Sequence, residues 1–381
     1  MTDQLRDQLH FGIASASLGL NPIHTLENKF QALQKAGFKF CEVDFGSYMT
    51  WVRNQKPDLP ESTCPPEWSE ANEPDPSDEE IWQALYSLAP DFVHLARKYG
   101  VKVVVLQPLN QFDGWPAGTE RAEWVRRKAE RWLPLCSKLG VEFLQVGSND
   151  WVDACAPDAK TAGDMRWIAE LGARQDPPVK IAYEPWCFSD LRGEWEECYK
   201  TVQQANHPNL GLCLDTAQLA LAKHYGWNPT TGQGWDRASY EGMISRISSL
   251  PPEKIFYVEL SDVLNPKATK PLYQGSPFDE FGKNDKSGKN ERFIWVRCAR
   301  PVPLVGPNGG MDKRPEGMEE DGARVVETLK AIMSTGWRGY TFFEVFECLK
   351  MEPEDEDIPD RYASACKKSS EMILHAVADL K

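Results

Sequence analysis

The feature that most constrains the fold is a regular alternation between short apolar, strand-like runs and longer segments whose apolar residues have helical spacing. Eight strand-like runs occur in the 381 residues, at 11–15, 38–45, 101–106, 141–146, 180–184, 210–215, 254–259 and 340–345. Helices between consecutive strands force those strands to be parallel, and eight such units can close into a barrel. The sequence therefore predicts an α/β fold, a (β/α)8 TIM barrel with long loop insertions, formed by residues 1–381 as a single domain.

An open doubly wound sheet would show the same alternation. It is disfavoured because no Gly-x-Gly-x-x-Gly motif follows the first strand-like run. Two polar stretches interrupt the pattern. Residues 57–78, which contain Pro65-Pro66, predict a surface insertion, and residues 265–314 predict either a lid over a site or a disordered segment.

Composition limits the partners of this chain. A net charge of −14 disfavours nucleic acid, and no basic amphipathic stretch suits a membrane surface. The N-terminal residues are polar, no window approaches the length of a membrane span, and the ten cysteines form no Cys-x-x-Cys pair. We therefore expect a cytoplasmic protein with reduced thiols that acts on a small molecule, with homo-oligomerisation left open.

Four strand-like runs end in a carboxylate, and this pattern predicts a metal site. The four residues are Glu184, Asp215, Glu259 and Glu344. Because the carboxyl ends of barrel strands meet at one face, we expect these side chains to converge on one divalent cation. Oxygen ligands suit Mg²⁺, Mn²⁺ or Co²⁺, with Zn²⁺ as a further candidate. The alternative is that each carboxylate caps a helix or pairs with a lysine.

Other residues are candidates for binding a substrate. Arg297 and Arg300 lie three residues apart in the second polar stretch, so they can bind a carboxylate or can be solvated surface arginines. Gln107 begins a loop that either lines a pocket or packs on itself, and Trp186 and Gln218 follow the first two carboxylates. None of the six histidines stands beside a strand-end carboxylate, so all six are expected to be structural or surface residues.

Several stretches together resemble the xylose-isomerase-like barrel family of metal-dependent isomerases, epimerases and dehydratases, and within it the fungal 3-dehydroshikimate dehydratases. The stretches are Phe11–Gly19, Leu106–Gly114, Ala182–Trp186, Gly211–Thr216, Val296–Arg300 and Phe343–Phe346. The resemblance implies that the four strand-end carboxylates bind one divalent cation. It also implies a glutamine at the third ligand and a histidine base near the first or second. Here Glu259 stands at the third position, and Pro185, Trp186 and Gln218 stand where such a histidine is expected.

The leading hypothesis is a metal-dependent hydro-lyase that dehydrates 3-dehydroshikimate to protocatechuate in quinate/shikimate catabolism. Arg297 and Arg300 would hold the substrate carboxylate, and Glu42 or a metal-bound glutamate, Glu184 or Glu344, would move the proton. The alternative is a sugar or inositol isomerase, epimerase or dehydratase that acts through an enediolate, with Glu184 and Glu344 exchanging a proton. A third hypothesis is a metal-stabilised binding protein without catalysis.

Overall fold

A computed structural model of the protein describes residues 8–65, 68, 73–268, 271–285, 288–315 and 322–378. Eight parallel strands close into a barrel in chain order, and β8 pairs with β1. The strands are β1 Leu9–Ala14, β2 Phe40–Asp44, β3 Lys102–Leu109, β4 Phe143–Gly147, β5 Lys180–Glu184, β6 Leu210–Asp215, β7 Ile255–Leu260 and β8 Gly339–Phe343. The predicted (β/α)8 barrel is confirmed, and each strand-like run of the sequence overlaps one strand, although β8 ends at Phe343, one residue before Glu344.

Helices surround the barrel. Those of the described residues are α1 Leu26–Ala36, α2 Phe45–Gln55, α3 Glu79–Lys98, α4 Glu120–Leu139, α5 Asp158–Ala173, α6 Trp195–Ala205, α7 Thr216–Ala220, α8 Arg237–Ile247, α9 Pro277–Asn284, α10 Glu291–Cys298, α11 Val325–Ser334 and α12 Ile358–Val377. Within the described ranges, no helix combines the length and the apolar character needed to cross a membrane.

Three helices correct the sequence analysis. Helix α2 was not predicted; it begins directly after β2, where the Asp44 carboxylate accepts a hydrogen bond from the Ser47 backbone N–H at 2.7 Å. The stretch 265–314 has secondary structure, because it contains α9 and α10. Ser276 and Asn290 cap these two helices, so short local capping signals outweighed the polar composition. Parts of both polar stretches, including Pro66, lie outside the described residues.

The side-chain alternation of the strands separates two apolar layers and positions the carboxylates. Side chains that point outwards from the strands pack against the helices, as Ile181 and Tyr183 do on β5. Side chains that point inwards form a smaller cluster inside the barrel; it contains Val104, Val105, Phe143, Ala182, Cys213, Tyr257 and Phe342. The residues two positions beyond Ala182, Cys213, Tyr257 and Phe342 are Glu184, Asp215, Glu259 and Glu344. Because successive side chains alternate between faces, these carboxylates lie above an apolar floor, at the carboxyl end of the barrel.

Asn290 caps α10, the helix that carries Arg297, and this role can be tested by substitution. Its side-chain oxygen accepts from the backbone N–H groups of Arg292 and Phe293, and its side-chain amide donates to the Phe188 carbonyl at 2.9 Å. Replacing a capping asparagine by alanine removes these bonds and costs about 0.5–2 kcal/mol of helix stability. We therefore expect Asn290→Ala to accelerate amide hydrogen exchange throughout α10.

Asp236→Ala is the matched control, because Asp236 caps α8 through the Ser239 backbone N–H and makes no contact with α10. It should accelerate exchange in α8 alone. Unchanged exchange in α10 of the Asn290→Ala variant would show that the cap does not hold this helix.

Candidate active site

The four strand-end carboxylates of the sequence analysis meet inside the barrel. Glu184, Asp215, Glu259 and Glu344 each offer an oxygen atom, and these atoms all lie within 4.8 Å of one another. All four side chains are buried. The strand register brings Asp215 opposite Glu259, and the Glu344 backbone N–H donates to the Leu260 carbonyl. One Asp215 oxygen also accepts a hydrogen bond from the Ala217 N–H at 2.8 Å. Asp215 therefore caps a helix with one oxygen, as the alternative interpretation predicted, while its other oxygen stays in the cluster.

Glu42 on β2 is a fifth carboxylate of the same site, and the five are called the carboxylate cluster below. Its side chain is buried beside that of Glu259. Burial, followed by repulsion from Glu344, raises the pKa of Glu42 well above the ordinary value, and the same causes act on Glu184 and Glu259. Burial raises the pKa of Asp215 to about 7 although the Arg300 guanidinium opposes the shift. It is therefore energetically unfavourable for all five carboxylates in the barrel interior to be negatively charged at the same time.

Arg300 supplies a positive charge to this cluster. Its guanidinium lies 2.7 Å from Asp215 Oδ2 and 2.9 Å from Glu344 Oε2, and it also donates to Ser261 Oγ at 2.8 Å. The side chain is fully buried, and a backbone bridge to Phe346 holds its position. Arg300 thus pairs with two carboxylates, and its predicted role in binding the substrate stays a prediction.

Three residues that were predicted to bind the substrate line the cavity described below and also contact carboxylates, and a fourth residue with such a contact was not predicted. The Trp186 indole N–H donates to Glu184 Oε2 at 2.6 Å, and Gln107 donates to Glu344 Oε1 at 3.0 Å. Gln218 reaches Glu184 at 3.4 Å while it accepts from the Cys187 N–H. Gln145 on β4 donates to Glu259 Oε1 at 2.7 Å. A glutamine inside the apolar run 141–146 was the available signal for this last contact.

The residues present fit a divalent cation. Five buried carboxylates face one guanidinium, and both oxygens of Glu42 and Oε2 of Glu259 are buried with no hydrogen-bond partner among the described residues. Buried negative charge without a partner is costly, and oxygen donors are the ligands that Mg²⁺ and similar ions prefer. The carboxylate cluster could therefore hold a metal ion.

A cavity of about 430 Å³ opens onto the carboxylate cluster, which is enough room for a small organic ligand. Glu184, Glu344 and Trp186 line its inner end, and Arg297 lines the wall formed by α10. The Arg297 guanidinium lies 5.0 Å from the centre of the Phe346 ring. Arg297 thus lies at the same cavity as the carboxylates without being one of their partners.

His24 and Lys29, which were not predicted to be site residues, also line this cavity. The His24 ring accepts from the Asn21 N–H at Nδ1, so Nε2 carries the proton that is donated to the Asp355 carbonyl at 2.9 Å. Burial lowers the pKa of His24, which favours this neutral form. Both ring nitrogens are therefore engaged with the backbone, in agreement with the expectation of a structural histidine. Lys29 is buried near Asp44.

Known proteins resemble this chain over most of its length. The family model described as "Xylose isomerase-like TIM barrel" matches residues 30–361. A 3-dehydroshikimate dehydratase from Neurospora crassa is 27% identical over 363 residues, which cover 92% of this chain and 89% of that protein. A protein of the same name from Pseudomonas aeruginosa is 30% identical over 172 residues, 45% of this chain and 24% of that protein.

Solved structures share the fold. A xylose isomerase-like TIM barrel/4-hydroxyphenylpyruvate dioxygenase fusion protein superposes with a TM-score of 0.60 at 20% identity, over 95% of this chain and 42% of that one. The IolI protein with a zinc atom superposes with a TM-score of 0.57 at 16% identity, over 96% of this chain and 98% of that one. At these identities the likeness shows the fold alone.

Gly147 leaves room for the Trp186 ring, which can be tested by substitution. A Cβ atom at Gly147 would lie 2.2 Å from the Trp186 ring, so Gly147→Ala forces the indole away from Glu184. Loss of a hydrogen-bond partner of a metal ligand typically weakens metal binding by about 10–100-fold. We expect Gly147→Ala to weaken Mn²⁺ binding by about this factor, as measured by calorimetric titration, and to lower the free energy of unfolding by about 1–3 kcal/mol through overpacking.

Gly163→Ala on α5 is the control, because nothing lies within 4 Å of a Cβ atom at that position. Its Mn²⁺ affinity should equal that of the wild type. If Gly147→Ala also retained wild-type affinity, Trp186 would have no part in orienting Glu184.

Proposed function

The chain belongs to the xylose isomerase-like TIM barrel family, and we propose that it is a divalent-metal-dependent hydro-lyase that converts 3-dehydroshikimate to protocatechuate. The observation that carries this proposal is the carboxylate cluster at the inner end of a cavity that is also lined by an arginine. The relatives named above support the substrate, because they share the name 3-dehydroshikimate dehydratase. That shared name favours a lyase over the sugar isomerase, epimerase or inositol-acting enzyme of the alternative hypothesis.

Glu184, Asp215, Glu259 and Glu344 would hold the ion, with Mg²⁺, Mn²⁺ or Co²⁺ favoured by the oxygen ligands and Zn²⁺ as a further candidate. When bound, such an ion polarises a ketone oxygen and so makes the neighbouring C–H group more acidic. Glu259 stands where the resemblance implied a glutamine, so this chain has one more carboxylate in the set. Gln107, Gln145 and Trp186 fix the orientation of three of these four side chains by direct hydrogen bonds.

Glu42 is the proposed base for the α-proton. Both of its oxygens are buried without a hydrogen-bond partner among the described residues, and it points into the barrel beside the other carboxylates. Gln218, which stands where the resemblance implied a histidine base, cannot accept a proton from carbon. Glu184 and Glu344 remain candidates for returning a proton to the departing hydroxyl group.

Arg297 is proposed to bind the substrate carboxylate. Its side chain lines the cavity and stacks on Phe346, which limits its motion. Arg300 is less suited to this role because Asp215 and Glu344 already occupy its guanidinium.

The first test measures the activity and its metal. Metal-loaded protein given 3-dehydroshikimate should produce the ultraviolet absorbance of an aromatic product, and a chelator should abolish it. Glu184→Gln should lose the bound ion in elemental analysis and lower kcat by about a thousandfold, since the ion supplies several kcal/mol of charge stabilisation. Glu347→Gln is the control, because Glu347 is a buried carboxylate bonded to Asn308 and Tyr362. A panel in which only a ketose or an inositol derivative reacts would overturn the proposed substrate.

The second test concerns the acid-binding arginine. Arg297→Ala should raise the KM for 3-dehydroshikimate by about 10–100-fold with a smaller change in kcat, because a hydrogen bond to a charged group contributes about 1.5–3 kcal/mol. Arg292→Ala on the same helix is the control, since Arg292 donates to the Leu221 carbonyl and does not line the cavity. An unchanged KM for Arg297→Ala would remove this residue from substrate binding.

A further inference from the structure

Lys29 is a buried lysine that the proposed function does not use. It lies in the first turns of α1 and its side chain is 2% exposed, yet it lines the cavity. Its ammonium group donates to Ser47 Oγ at 3.1 Å, and no carboxylate of the described residues lies within ion-pair distance of it. An ammonium group has three N–H donors, and burial of a lysine without partners for them is costly. Lys29 therefore has donors left for an oxygen atom in the cavity.

Asp44 favours the charged form of Lys29 without accepting a hydrogen bond from its ammonium group. The two Asp44 oxygens accept from the Ser15 hydroxyl at 2.6 Å and from the Ser47 N–H at 2.7 Å. Its negative charge opposes the desolvation that lowers the pKa of Lys29. The ammonium group thus has one serine hydroxyl as a hydrogen-bond partner and a carboxylate nearby.

The part of the cavity lined by the segments that follow β1 and β2 is called the β1–β2 lobe below. Its polar lining residues are Asn21, His24, Lys29, Asp44, Ser47, Thr50 and Asn54, and the same segments also contribute apolar residues such as Leu20, Phe45 and Trp51. Thr50 and Asn54 are exposed and form its mouth, whereas Lys29 is buried. Hydroxyl, amide, carboxylate and ammonium groups together suit a neutral ligand rich in hydroxyl groups better than an apolar one.

The lobe adjoins the carboxylate cluster. Asp44 lies two residues beyond Glu42 on β2, a rise of about 7 Å along the strand on the same inward face. Asp44 is also paired in register with Gln107, which donates to Glu344. A ligand of one ring that contacts the cluster can therefore extend its far edge into the β1–β2 lobe.

We propose that Lys29 is a specificity-determining residue that binds the hydroxyl groups on the edge of a cyclic polyhydroxy acid that faces away from the carboxylate cluster. The assignment rests on the proposed function only in taking such an acid as the substrate. A purely structural Lys29, which ties α1 to α2 through Ser47, would affect stability and leave ligand discrimination unchanged.

The experiment compares two acids that share a ring and differ in hydroxyl groups. The probes are shikimate and cyclohex-1-ene-1-carboxylate, titrated calorimetrically into full-length protein loaded with Mn²⁺. Lys29→Met should weaken shikimate binding by about 10–100-fold, as expected for a lost bond to a charged group, and should leave the affinity for the hydroxyl-free acid within about twofold. Lys35→Met is the matched control, because Lys35 lies on the same helix and forms an exposed ion pair with Asp360.

Equal changes in the two affinities, no change in either, or no shikimate binding by the wild type would overturn the assignment. Thermal unfolding checks that Lys29→Met folds, and Lys29→Gln, which keeps a donor without the charge, replaces it if it does not. If shikimate binding depends on Lys29 but the protein does not turn over 3-dehydroshikimate, the dehydratase proposal alone is contradicted. If the protein turns over 3-dehydroshikimate but Lys29→Met changes neither shikimate binding nor the KM for 3-dehydroshikimate, the Lys29 assignment alone is contradicted.

Discussion

The structure depends on the placement of five carboxylates inside a barrel whose interior would otherwise be apolar. Glu42, Glu184, Asp215, Glu259 and Glu344 share one buried volume with the guanidinium of Arg300. Taking charges out of water costs several kcal/mol per ion, and like charges at this separation raise the cost further. The closed barrel tolerates this destabilisation because each of its strands is hydrogen-bonded to a neighbour on both sides. A cation at the centre of the cluster would replace the repulsion between the carboxylates by attraction.

A layer of neutral donors surrounds these carboxylates. Gln107, Gln145, Gln218 and Trp186 each give a hydrogen bond to one of them, and they come from four different βα units. Such contacts orient ligand oxygens before any ion arrives. Two of these residues, Trp186 and Gln218, stand where the resemblance implied a histidine base. In this chain both side chains contact Glu184, and the proposed function therefore assigns proton transfer to carboxylates.

The cavity has two chemically distinct walls. Helix α10 carries Arg297, a cation that stacks on Phe346. On the other side, the β1–β2 lobe offers an ammonium group amid hydroxyl and amide groups. With the cluster at the inner end, these walls would suit the substrate of the proposed function, which has an acid at one edge of a ring, a ketone oxygen that a bound ion would polarise, and hydroxyl groups at the remaining edge. This correspondence joins the proposed function to the proposed role of Lys29.

The sequence by itself determined the barrel, its eight strands and the four strand-end carboxylates, because strand periodicity and chain alternation are local signals that survive in the linear order of residues. It missed α2, whose start depends on one capping aspartate, and the two helices α9 and α10 within a polar stretch. Only the tertiary structure decided that Arg300 neutralises Asp215 and Glu344, that Gln145 faces Glu259, and that Lys29 borders the cavity. These contacts join residues far apart in the chain, and a side chain's partner depends on which strands and helices the closed barrel brings together.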